Sequence, residues 1–182
     1  MQIDNPDVLD ELMACHVEYE KALMENDVAT LDALFWDSSL AVRYGVSENL
    51  HGAAEIHAFR AARPTAGLQR TISWFKITAF DEASGVINLE FVRVLEGVER
   101  QGRQTQFWVR FAQGWKIVSA HVSLLPGPQT YVDAAASRIG VPVHSGDRVA
   151  VIEDLSRIGT IAQFLMEFPL PQEVEAAPVF QP

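Results

Sequence analysis

At 182 residues, with 48% hydrophobic side chains, the chain has room for one ordinary domain plus an extension and enough apolar surface for a sizeable core. Its formal net charge of -10 is spread over both parts, with 11 basic and 17 acidic residues before Pro126 and 3 basic and 7 acidic after it. That balance leaves no basic patch for nucleic acid or anionic lipid, and no apolar run reaches membrane-spanning length.

Residues 1–7 carry no basic flank or apolar run, and the single cysteine, Cys15, excludes an internal disulfide, so a cytoplasmic location is expected. Five scattered histidines show no ligand pairing, so neither metal nor cofactor is implied. Asn5 or Asp7 can cap a helix reaching about residue 26, because Leu9, Leu12, His16, Tyr19 and Leu23 recur at spacings of three and four. Asp27 then caps a shorter helix over 29–36. Ser38 and Ser39 break it before the extended run 40–44, which Gly45 ends.

After a loop over 46–51, Gly52 opens a third helix through Glu55, Ile56 and Phe59. It stops before Pro64, since the residue preceding a proline avoids helical geometry. Four strands follow at 71–80, 86–95, 104–112 and 115–124, rich in β-branched and aromatic residues and separated by turns. Helices first and an antiparallel meander afterwards predict an α+β domain, three helices on one face of a curved sheet with a cavity between the layers.

Pro126-Gly127-Pro128 reads as a short stiff linker and sets the expected division at 1–126 and 127–182. Two helical patterns come next, 130–139 and from Ser145 or Asp147 to about residue 167, and then a proline-rich extended tail. Val149, Ile152, Leu155, Ile158, Ile161, Phe164 and Leu165 form an apolar stripe that two helices cannot enclose between them. The segment is too short to bury it alone, so part of it is expected to lie against another chain.

The stretch Phe35-Trp36-Asp37-Ser38-Ser39-Leu40-Ala41-Val42-Arg43-Tyr44-Gly45, with Glu48-Asn49-Leu50-His51-Gly52, Phe59-Arg60-Ala61-Ala62-Arg63-Pro64, Gly114-Trp115-Lys116-Ile117-Val118 and Ala120-His121-Val122-Ser123, resembles the AtzH-like family. That family lies in the nuclear-transport-factor-2 (NTF2) superfamily, among the SnoaL-like cones. The resemblance implies a cone-shaped domain whose cavity takes small nitrogenous compounds of the carboxylated urea, biuret or oxalurate kind, in bacterial nitrogen catabolism. It also implies a homodimer formed through the cone.

Tyr131-Val132-Asp133-Ala134-Ala135-Ala136, Met166-Glu167-Phe168-Pro169-Leu170-Pro171 and Ala177-Pro178-Val179-Phe180 are similar to a second family, the small AtzG-like subunits related to the C subunit of glutamine-dependent amidotransferases. This likeness implies a segment without catalytic residues that clasps an amidase of the amidase-signature class. Phe164, Phe168, Leu170, Val179 and Phe180 are its partner-binding candidates.

Tyr19 falls within the apolar stripe of the first helix, where its hydroxyl either finds a core partner or points into a polar cavity. Arg43 sits between apolar strand neighbours, and its guanidinium must face either a substrate anion or an acid such as Glu48. The AtzH-like resemblance implies that Tyr19 and Arg43 are the catalytic pair. Alternation on the last strand places Ser119, His121 and Ser123 on one face, expected to line the cavity, with His121 either a proton carrier or structural. Gln104, Gln106 and Trp108 alternate likewise and either read substrate amides or face solvent.

Arg63 is a second anion anchor at the expected rim, Trp36 a wall or core aromatic, and Tyr44 a further substrate-binding candidate. Arg60, near the end of the same helix, reads as a solvated cap. The combined expectation is a cofactor-independent, decarboxylating amidohydrolase acting on N-carboxylated ureas and tethered to a partner amidase. The alternative is a non-catalytic assembly subunit whose cone only binds a small acid.

Overall fold

The computed structural model describes residues 2–64, 67–95, 98–144 and 146–167. Two compact units, Met1–Leu125 and Pro126–Pro182, divide the chain. The first holds α1 (Pro6–Glu25), α2 (Val28–Leu34), β1 (Val42–Tyr44), β2 (Asn49–His51), α3 (Ala53–Ala62), β3 (Thr71–Phe80), β4 (Ser84–Leu95), β5 (Val98–Phe111) and β6 (Gly114–Leu124).

Local chemistry accounts for the helix ends. Asn5 accepts from the Asp7 amide ahead of Pro6, and Asn26 closes α1 in the left-handed region at φ 54°. Asp27 takes the Thr30 amide to start α2. Gly52 turns into α3 at φ 83°, a conformation that favours glycine.

The six strands form one curved sheet in the order β2-β1-β6-β5-β4-β3. The meander β3 to β6 is antiparallel as its turns predict, whereas β1 runs parallel to β6, its neighbour in the sheet but not along the chain. Two stretches expected as loop are strand. Residues 49–51 fold back on β1 as β2, and β5 begins at Val98 because its pairing with β4 continues almost to the turn.

Leu12, Leu31, Ile56, Ile87, Trp108 and Ile117 are fully enclosed where the helices meet the sheet. On β5 every second residue, Gly102, Gln104, Gln106 and Trp108, is buried beneath the helices.

Where β6 pairs with β5, consecutive Phe107 and Trp108 lie opposite Ser119 and Ile117, which leaves Val118 as an extra residue on β6, so the inward positions pass from Trp115 and Ile117 to Ala120 and Val122. This corrects the expectation for the polar row. Ser119, His121 and Ser123 pair with Phe107, Thr105 and Arg103 on the outer face of the sheet. Apolar burial, which brings Ala120 against Gln106, decides which side of the strand faces in.

The second unit contains α4 (Pro128–Ile139) and α5 (Arg148–Met166), joined by an ion pair between Arg148 and Asp133. Gly140 ends α4 in the left-handed region at φ 70°. None of the residues of α5 is buried, and Ile158, Ile161, Phe164, Leu165 and Met166 stand exposed. The partner-binding candidates Phe168, Leu170, Val179 and Phe180, and the expected extended tail, lie outside the described residues. No described helix is long and apolar enough to cross a membrane.

Candidate functional site

Buried chemistry in the first unit gathers between α1, α3 and the inner face of β4 and β5. Tyr19 is only 4% exposed on α1, and its hydroxyl accepts a hydrogen bond from Gln104 Nε2 at 3.2 Å. Gln104 Oε1 in turn accepts from Arg70 at 2.8 Å, while Arg70 grips both oxygens of Glu20. Nearby on β5, Trp108 Nε1 donates to Gln106 Oε1 at 3.1 Å.

Arg43 points inward from β1, since its strand partner is the buried Ala120. Its guanidinium lies 5.1 Å from the Phe59 ring centre and pairs with Glu48 at 2.5 Å, the acid raised as one of the two alternatives for Arg43. Burial pushes the Glu48 carboxyl up, but hydrogen bonds from Arg43 and Ser47 outweigh it and hold Glu48 below its usual range. Gly45 makes room for this carboxylate, because a Cβ there would lie 1.8 Å from Glu48 Oε1.

Arg60 is not a solvated cap. Only 2% exposed, it donates to the Leu31 carbonyl and to Asp32 and stacks over Phe35. Helical spacing turned it under α3 rather than outward, behind Ile56 by one turn. Arg63, half-buried, donates through Nε to Asn26 Oδ1 at 3.0 Å.

Burial is the main reason that Arg60, Arg63 and Arg93 sit below the ordinary arginine range. Tyr19 opposes this at both Arg60 and Arg63, and Arg43 adds to it at both, so these four groups share one electrostatic neighbourhood. Arginine stays protonated in proteins, so the depression records the cost of burying these charges. Arg60 Nη2, Arg63 Nη2, Arg93 Nε and Gln106 Nε2 are buried donors without an acceptor among the described residues.

Among the described residues of this interior, five guanidinium groups (Arg43, Arg60, Arg63, Arg70, Arg93) face three carboxylates (Glu20, Asp32, Glu48). Arg43, Arg60 and Arg70 each pair with one of these carboxylates, whereas Arg63 and Arg93, both half-buried, have no ion-pair partner among the described residues. No described group of three or more His, Cys, Asp or Glu residues is arranged to hold a metal ion.

The structure therefore brings Tyr19, Arg43, Arg63, Gln106 and Trp108 to the inner side and separates others from them. Tyr44, His121 and Ser123 are corrected to the outer face, where the 41% exposed Tyr44 meets the edges of His51 and His121. Alternation dictates this, because an inward Arg43 forces Tyr44 outward. Trp36 stacks on Phe111 at 5.4 Å in a separate groove of about 720 Å³ with Asp32, His57, Arg60 and Lys116, whose walls include neither Tyr19 nor Arg43.

Sequence reasoning missed Glu20 and Arg70. Glu20 carried a signal, since Leu12, His16 and Glu20 repeat at four residues along the buried stripe. Arg70 carried none, as it lies just outside β3, where no periodicity reports a side chain's direction.

A family model described as AtzH-like matches residues 1–128, and one described as 1-carboxybiuret hydrolase subunit AtzG-like matches residues 131–180. Among solved structures, a protein of unknown function from Pectobacterium atrosepticum is 48% identical, with a TM-score of 0.66 over 68% of this chain and 95% of its own. A cystatin-like fold protein from Burkholderia xenovorans is 38% identical, with a TM-score of 0.64 over 69% and 99%. An NTF2-like protein from Shewanella oneidensis, 15% identical with a TM-score of 0.52 over 63% and 98%, shares the fold. Comparison with curated proteins gave no match. With a family match across the whole first unit, the chain belongs to the AtzH-like family and carries behind that domain a segment similar to AtzG-like subunits.

Proposed function

We propose that the first unit is a cofactor-independent hydrolase that cleaves a carbamate C–N bond in a small dicarboxylated urea. The arginines that lack an ion-pair partner among the described residues, Arg63 in the field of Tyr19 and Arg93 in that of Arg70, carry this reading, because a dianion would pair with them and offer acceptors to the idle donors of Arg60, Arg63, Arg93 and Gln106. Both families point to a role in biuret-type metabolism beside an amidase.

In this mechanism Arg43 and Arg63 hold the carboxylates and Tyr19 donates to the carbamate nitrogen. As the N–C bond breaks, its electron pair passes to nitrogen, which takes the Tyr19 proton while carbon dioxide departs. Water then returns a proton to the phenolate. Acceleration comes from positioning and from fixed charges in a site screened from water.

The test is steady-state turnover of urea-1,3-dicarboxylate by the purified full chain. Tyr19→Phe and Arg43→Ala should each lower kcat/KM by about a hundredfold or more. Unchanged turnover in both variants would falsify the mechanism. Tight binding of the dianion without turnover by the parent protein would leave the cone as a small-acid binder.

The second unit, in this proposal, holds a partner amidase of the amidase-signature class. Support comes from the exposed apolar row on α5 and the AtzG-like match. Co-expression with the amidase, with and without residues 127–182, is the check, and an amidase that stays soluble and active without the segment would remove this role. A homodimer through the outer sheet face accompanies the proposal, favoured by the exposed Tyr44, Trp74 and Phe107. Light scattering of the full chain reads its mass directly.

A further inference from the structure

Behind Tyr19, three side chains that the proposed chemistry does not use, Glu20, Arg70 and Gln104, form a hydrogen-bonded chain. Tyr19 is 4% exposed, Glu20 8% and Gln104 2%, and the Arg70 side chain is 5% exposed. Arg70 donates through Nε to Glu20 Oε2 at 2.9 Å, through one Nη to Glu20 Oε1, and through the other to Gln104 Oε1 at 2.8 Å. Its flat face rests 4.7 Å from the centre of the Phe91 ring. That ring in turn fills the space above Gly102, where a Cβ would lie 2.3 Å from Phe91 Cζ.

A guanidinium only donates, so the oxygen of the Gln104 amide must face Arg70 and its NH2 group must face Tyr19. An amide NH2 group cannot accept in return. The Tyr19 oxygen thus receives a hydrogen bond from Gln104, and its own proton points elsewhere. The charged neighbours Arg60 and Arg63 are donors too, and among the described residues the Tyr19 hydroxyl donates to no protein acceptor.

We infer that Glu20, Arg70 and Gln104 are positioning residues that fix the Tyr19 hydroxyl as a donor to the substrate and stabilise the phenolate left when its proton is given up. A hydrogen bond donated to an oxygen strengthens as that oxygen becomes negative, so the Gln104 bond favours proton release. The inference rests on the reading of Tyr19 as the donor to the carbamate nitrogen. Gln104 forms no contact with the breaking bond and acts through Tyr19 alone.

The test compares Gln104→Glu and Gln104→Leu in the full chain. The carboxylate introduced by Gln104→Glu keeps a partner for Arg70 but can only accept from Tyr19, drawing the hydroxyl proton away from the substrate. This variant should lower kcat about a hundredfold with KM held within about threefold, whereas Gln104→Leu, which leaves the proton free, should lower kcat only about tenfold. A merely structural Gln104 predicts the opposite order, with the leucine variant worse because it strands Arg70. That order, or a kcat for Gln104→Glu within about threefold of the parent, overturns the inference.

A second readout needs no turnover. The Gln104 side-chain amide signal, identified in a proton–nitrogen correlation spectrum by its loss in Gln104→Leu, should move in Tyr19→Phe. An unmoved signal overturns the hydrogen bond. A moved signal in a protein that leaves urea-1,3-dicarboxylate intact supports the positioning chain while the substrate reading falls.

Discussion

The two units of this chain treat their large side chains in opposite ways. In the first, Trp108, Phe91 and even Arg60 are enclosed, and polar atoms are tied into a network around Tyr19. In the second, α5 has no buried residue, and Phe164 is 83% exposed although it sits on an apolar stripe. Under the proposed function, the enclosed polar network serves a small molecule that must leave water, while the uncovered stripe at helical spacing serves a partner that brings the missing surface.

The same aromatic truncation in each unit should give the widest contrast. Trp108→Ala removes a fully enclosed indole that also holds Gln106, and should destabilise the first unit by about 3–5 kcal/mol. Phe164→Ala should change stability by less than about 0.5 kcal/mol. Chemical denaturation of the full chain reads both, and comparable losses would break the contrast.

A smaller effect should appear in the pH dependence of the first unit. Burial holds the His16 imidazole below its usual range, with Glu20 pulling it up and Arg70 pushing it down again. A depressed folded value means that stability is fully present above the ordinary histidine range and is lost as pH falls through the lower folded value. Thermal melts should therefore soften as pH drops below about 6.5, and His16→Leu should flatten that slope. A slope unchanged by the substitution would assign it to another group.

The smallest effect concerns the Arg43–Glu48 pair. Glu48 is likewise held low, so its contribution is present above the ordinary glutamate range and disappears as pH falls through the folded value, below about 4.5. Gly45→Ala would push the carboxylate off Arg43 and should flatten this acid limb as Glu48→Gln does. A parental slope in Gly45→Ala would show that Glu48 finds another way to reach Arg43.

Much of this was legible in the chain itself. Asn5, Asp27, Gly52 and Pro64 mark helix limits through local hydrogen bonding and backbone geometry, and the stripe through Leu12, His16 and Tyr19 names the buried side of α1. The inward placement of Arg43 does not follow from Val42 and Tyr44, which alternation puts on the opposite face; it comes from the pairing with buried Ala120. His121 and Arg60 escape such reasoning because alternation and helical spacing say which residues share a face, not which face is covered.

What the sequence by itself determined is the succession of elements, the α+β class, and the pairing of a cone-type domain with an AtzG-like segment. The first two rest on patterns that repeat over a few residues, and the third on the resemblance of longer stretches to two families. Only the tertiary structure decided that β1 joins β6 in parallel, that a register shift turns His121 outward, and that Arg70 crosses from outside β3 to join Glu20 to Gln104. Such contacts join residues 34 and 50 positions apart, and their partners are chosen by packing and charge neutralisation in the folded interior, which no local pattern records.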